Sequence, residues 1–166
     1  MKSIGLFLLL AFLSCTPKSE RGKIINLEND DFVPFKIHSN EESFATLLSL
    51  DRQGQIRSKN KIRGRVSKDG HAIYLDGSLF ILRSKNGDVR HVNDKENAAT
   101  IKEGLVTFTQ RKSSMVPKLL VGEGGEVSLV ASTSKNSRVF AQVEPFDIQQ
   151  RDLIAFVIFY DAYISQ

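Results

Sequence analysis

At 166 residues with a single cysteine, the chain is long enough for one domain with a substantial core but cannot form an internal disulfide. Lys and Arg number 23 against 19 Asp and Glu, a formal balance of +4 that is too small to argue for nucleic acid as a partner. No later segment is long enough to span a bilayer, since the apolar run at 153–160 is followed at once by Asp161.

Residues 1–14 begin with Lys2, continue through an apolar stretch at 4–13 and end at Ser14 before Cys15. A charged start, about ten apolar residues and a small residue at the junction form the layout of a secretory signal peptide. The stretch is too short to cross a hydrocarbon core, which needs about 20 residues. Phe12-Leu13-Ser14-Cys15 resembles the lipobox of bacterial lipoproteins, although Phe12 stands where a smaller aliphatic residue is commoner. The resemblance implies that Cys15 takes a diacylglyceryl group on its sulfur and becomes the first residue of the mature chain, usually with a further acyl chain on its amine. Each buried methylene is worth about 0.8 kcal/mol, so two or more chains make a lasting membrane attachment. An ordinary signal peptide is the competing reading. Thr16 stands where aspartate would favour inner-membrane retention in some bacteria, which points the lipoprotein to the outer membrane of the cell envelope.

Residues 15–23 are polar and turn-rich and suit a tether between lipid and fold. Two readings compete over 40–50. Asn40 ahead of Glu41 and Glu42 suits the cap and first turn of a helix, while 46–50 also suits a strand running into a turn at 51–54. From residue 55 onward, short alternating runs are divided by Asp69-Gly70, Asp76-Gly77 and Asn86-Gly87, dipeptides that tolerate positive φ and close tight hairpins. Runs at 72–75, 79–82, 89–92, 105–108, 118–121, 127–130 and 139–143 read as strands. The expected fold is all-β or β-rich, with short antiparallel strands and hairpins forming a barrel, sandwich or solenoid. Ser67-Lys68-Asp69-Gly70 returns as Ser84-Lys85-Asn86-Gly87, which two hairpins with the same turn chemistry would explain. The β-rich domain spans 24–146. At 147–166, Asp147 and Gln150 look like a capping box, and no glycine or proline follows, so the tail is expected to be a helix packing on the sheet. Its Ile, Val, Phe and Tyr content is the argument for a buried strand instead.

The order of short motifs also resembles the second half of FecR-type domains. Leu75-Asp76-Gly77-Ser78-Leu79-Phe80, the segment 101–108 and Gly122-Glu123-Gly124-Gly125-Glu126-Val127 carry the resemblance, which covers 62–130. It departs at Asp76, where that family commonly has arginine, and at Ser78, where it has threonine. What it implies is an all-β binding fold of the export compartment, without the signalling circuit, because the chain lacks the family's cytoplasmic segment and spanning helix.

Lys59, Lys61, Arg63 and Arg65 are the sharpest polar feature. On a regular strand they would share one face, spaced about 6.6 Å apart, with Ile62 and Val66 turned to the core. Such a face could meet an anionic lipid, an anionic glycan or an acidic envelope protein. A solvated face, or lysines guarding a sheet edge, would need no ligand at all. His38, His71 and His91 lack metal-ligand spacing, and neither a metal nor another cofactor is expected. Asp69, Asp76 and Asp88 lie beside turn glycines, and Asp94 does not pair with them in sequence. The run Gly122-Glu123-Gly124-Gly125 lacks the spacing and lysine of a phosphate loop. The expectation is a non-enzymatic, membrane-anchored envelope lipoprotein that binds a macromolecule, glycan or anionic lipid. The alternative is a structural or assembly lipoprotein bound to another envelope protein through apolar surface near the tail.

Overall fold

The computed structural model describes residues 32–40, 46–109, 118–130 and 137–165. Cys15, the leader and the tether lie outside the described residues. The strands are β1 Phe35–Ser39, β2 Thr46–Leu50, β3 Gln55–Ser58, β4 Lys61–Val66, β5 Ala72–Leu75 and β6 Ser78–Arg83. They continue as β7 Asp88–His91, β8 Ala99–Lys102, β9 Leu105–Phe108, β10 Lys118–Val121, β11 Glu126–Val130 and β12 Ser137–Glu144. Each pairs antiparallel with its neighbours in sequence, and β1 closes on β12 through Lys36↔Glu144 and Ile37↔Val143. Of the three expected architectures, the chain forms the closed barrel. Segment 46–50 is strand, not helix, and 41–45, where the helix reading placed its first turn, lies outside the described residues.

Tight turns make so many short strands possible. Lys59-Asn60, Asp76-Gly77 and Glu103-Gly104 are two-residue turns with positive φ at both positions, the backbone that matches the twist of paired strands. Gly54, Gly70, Gly87 and Gly125 close four-residue turns, their N–H groups donating to Asp51, Ser67, Ser84 and Gly122 O at 3.0, 2.8, 3.0 and 3.3 Å. The repeated Ser-Lys-Asx-Gly motif thus marks one turn position in successive hairpins: Ser67 Oγ accepts from Ala72 N, and Ser84 Oγ from Asp88 N. Gly54, Gly70, Gly87, Gly104 and Gly125 all fall at one end of the barrel, hereafter the turn end. Two or three residues past them come Ile56, Ile73, Val89, Val106 and Val127, each fully buried and facing the interior.

The tail starts with a single 3-10 turn, Ile148–Gln150, capped by Asp147 Oδ1 accepting from Gln149 N at 2.9 Å, and continues as α1, Arg151–Ile164. No outer sheet face is covered by it. Leu153, Ile154, Ala155, Phe156 and Val157 are buried in succession, and five residues at 100° each sweep the whole circumference of a helix. At the turn end, Arg151 Nε donates to Val121 O of β10 and Asp152 Oδ1 accepts from Gly104 N. Further on, Phe159 meets Phe108 at the far end of β9, and the Tyr160 hydroxyl donates to Arg63 O of β4. Strands β4 and β10 stand opposite each other in the ring. The helix therefore runs through the bore, from the turn end toward the other.

Dimensions explain why it must. Twelve strands about 4.8 Å apart, tilted about 40°, enclose a cylinder roughly 24 Å across between backbones. Inward side chains reduce this to a bore close to the 10–12 Å thickness of a helix (order of magnitude). Without α1 the aliphatic lining would face water. Gly64 lets the two surfaces meet: a Cβ there would lie 2.7 Å from the Tyr160 hydroxyl and 2.9 Å from Tyr74 O.

Candidate functional site

The basic segment does not form the single face that alternation predicts. Pairing shifts between Ile56↔Gly64 and Arg57↔Ile62, leaving Arg63 as an extra residue in β4. A bulge of this kind reverses the facing of everything beyond it. Ile62, expected in the core, is 60% exposed. Arg63 turns toward the helix, with Nη2 donating to Ser165 Oγ at 3.2 Å and Nε lying 3.6 Å from Asp161 Oδ1. Burial pushes the Asp161 carboxyl up, and Arg63 opposes that shift. Arg65 stays on the outer wall, its Nε donating to Gln53 O at 3.1 Å. Lys59 sits in the β3–β4 turn and Lys61 is exposed at the start of β4. Three of the four cations thus remain outside, divided between a turn and the wall, and the fourth fastens α1.

The other sequence candidates separate. His38 Nδ1 lies 3.4 Å from Thr46 Oγ1, while the His91 ring stands edge-on to Phe80. Among the described residues no three His, Cys, Asp or Glu side chains converge as a metal site. Asp69 and Asp88 lie at the turn end, and Asp76 and Asp94 at the opposite one. Burial pushes Asp69 up, but hydrogen bonds from the Ser67 hydroxyl and His71 N–H outweigh it and leave the carboxyl below its ordinary value. The Gly122–Gly125 turn is filled by the chain itself, because Glu126 Oε2 accepts from Gly124 N at 3.1 Å.

A residue that the strand pattern hides holds the most unusual position. Four residues before their turn glycines, Leu50, Val66 and Val121 point into the bore and are buried. At the equivalent place before Gly87 stands Arg83, paired with Val89 and only 12% exposed. Its guanidinium lies over the Phe156 ring at 5.6 Å. Nη2 donates to Gly70 O at 3.4 Å, and Nη1 is 3.9 Å from Asp152 Oδ2, beyond hydrogen-bond reach. Nε has no hydrogen-bond partner among the described residues, and neither has Nδ1 of neighbouring His71. Burial pushes the Arg83 pKa down, while Asp152 and Asp69 hold it up.

Above Arg83 opens a cleft of about 550 Å³ at the turn end. The turn 84–87 forms one side, the turn 102–104 the other, and Gln149 and Asp152 at the start of α1 form the back. Lys85 and Lys102 are exposed on the rims. Sequence reasoning passes over Arg83 because it reads as the polar end of an apolar strand. The available signal is the glycine series, which marks its position as inward-facing. The pieces that resemble FecR-type domains fall on the turns β5–β6, β8–β9 and β10–β11, where positive φ accounts for Gly77, Gly104 and Gly125. No family model, curated protein or solved structure matches the chain.

Proposed function

We propose that the protein is a non-enzymatic binding module of the bacterial envelope, held to the outer membrane by lipid on Cys15. The plugged bore is the observation that carries this reading. Its inward aliphatic residues pack on α1, so contact with any ligand is left to the two ends and the outer wall. The first described strand starts at the turn end, where Phe35 pairs with Leu50. Lys59, Lys61 and the β3–β4 turn project from the opposite end. They offer cations to an anionic glycan, an anionic lipid or an acidic partner, while Arg65 and Arg57 reach toward the turn end, to Gln53 O and Asp51. Arg63, engaged with Asp161, is removed from the contact set.

Palmitate labelling of growing cells tests the anchor: label is expected on the wild-type chain and absent from Cys15→Ala. Charge reversal at Lys59 and Lys61 tests the basic contact, with lost retention on anionic glycan or lipid arrays expected and unchanged retention opposing it. The assembly-protein alternative needs a different surface from the tail, since α1 buries most of its apolar residues. Val139, 42% exposed on β12, is the wall position that favours it.

A further inference from the structure

We propose that the cleft at the turn end, floored by Arg83 and rimmed by Lys85 and Lys102, binds a phosphate-bearing polar molecule. The argument starts from cost. A charge withdrawn from water destabilises a fold unless it is paired and hydrogen-bonded. Arg83 has a carboxylate at 3.9 Å, one long hydrogen bond to a carbonyl and an unpartnered Nε. Leu50, Val66 and Val121 pack the same position elsewhere in the ring, so the barrel itself does not require a cation there. Its stacking on Phe156 is the one packing gain, and a local rule broken in this way is expected at a functional or strained site.

The chemistry around Arg83 selects an oxyanion. A guanidinium presents a planar fork of donors that matches phosphate or carboxylate, and Lys85 and Lys102 can approach from either rim. Each stands two residues ahead of a turn glycine, Lys85 inside the 84–87 turn and Lys102 at the end of β8. Asp152 and Glu103 are the acids of the cleft, and one oxygen of Asp152 is already taken by Gly104 N. Three cations against two acids leave a surplus of one, and their three directions suit the oxygens of a phosphate better than the two of a carboxylate. The cleft is larger than a bare phosphate, and Asn86, Gln149 and His71 offer polar contacts to the rest of a hydroxylated molecule. Lipid headgroups and free compounds both carry a phosphate of this kind.

Isothermal titration at constant ionic strength tests the site, using the full chain as Cys15→Ala so that no acyl group contributes. Inorganic phosphate and glycerol 3-phosphate are expected to bind saturably and acetate to bind far more weakly. Lys85→Ala/Lys102→Ala, changed only at an exposed turn and an exposed strand end, is expected to weaken phosphate binding roughly tenfold or more. Arg83→Leu is expected to abolish it with the fold retained. Flotation with phosphatidylcholine vesicles carrying phosphatidic acid assigns the source. Co-flotation that the double lysine variant loses identifies a headgroup, whereas binding of glycerol 3-phosphate alone identifies a free compound. Acetate binding as tightly as phosphate, or equal phosphate affinity in wild type and the double variant, would overturn the site. Absence of acyl label on Cys15 would refute the anchor and leave this titration unaffected.

Discussion

Tyr160 joins the helix to the far wall through one hydroxyl, which donates to Arg63 O at 2.5 Å from a fully buried side chain. Burial, partly opposed by Arg63, pushes its pKa from 10.0 up to about 12. The folded value lies above the ordinary one, so this contribution is whole below about pH 10 and is lost as pH rises toward 12, amounting to about 2–3 kcal/mol. Urea unfolding followed across that interval should show a steeper loss for wild type than for Tyr160→Phe. At neutral pH the variant should be less stable by about 1–3 kcal/mol, because Arg63 O loses its buried donor. Gly104 is a second point of close fit. Its φ of 74° suits glycine, and a Cβ would lie 2.4 Å from Val121 O and 2.6 Å from Arg151 Nε. Gly104→Ala should lower stability by at least about 2 kcal/mol in the same assay, combining backbone strain with displacement of the Arg151 contact.

Among the elements, β4 and α1 show most clearly how far a periodic pattern can be read. Alternation in 61–66 is genuine at Gly64 and Val66, both buried, but the bulge at Arg63 reverses it at Ile62. A one-residue bulge adds no distinctive residue type, so nothing in the string announces it. Ile62→Lys should therefore change stability by less than about 0.5 kcal/mol in denaturant unfolding, whereas a core position would lose several times that. The hairpins at 72–83 were legible because positive-φ turns favour glycine, aspartate and asparagine. Strands β1, β3 and β8 were less so, since short segments of mixed polarity carry little periodic signal. The tail reads as helix from its cap at Asp147, but its all-round apolarity has a meaning only once the sheet is known to close. Arg83 escaped notice for the same reason. Removing the helix by ending the chain after Asp147 should leave the aliphatic bore uncovered, seen as strong binding of the dye ANS and loss of near-ultraviolet dichroism.

For the molecule as a whole, an up-and-down barrel leaves no free sheet edge, and a helix of its own fills the space that the strands enclose. Such a body needs no disulfide, in keeping with the single cysteine of the chain. Its two ends differ: the turn end gathers the turns of Gly54, Gly70, Gly87, Gly104 and Gly125 and the Arg83 cleft, and the opposite end presents Lys59 and Lys61. A ligand at either end would meet a rigid rim, because both ends are tied to α1, by Asp152 with Gly104 and by Tyr160 with Arg63. Native-state hydrogen exchange of the amides at 153–160 tests this account most directly. Enclosure predicts that they exchange only through global unfolding, as slowly as the central strand amides at Ile73 and Val106. Exchange of those helix amides at the rate of an exposed surface helix, with the strands still protected, would contradict it.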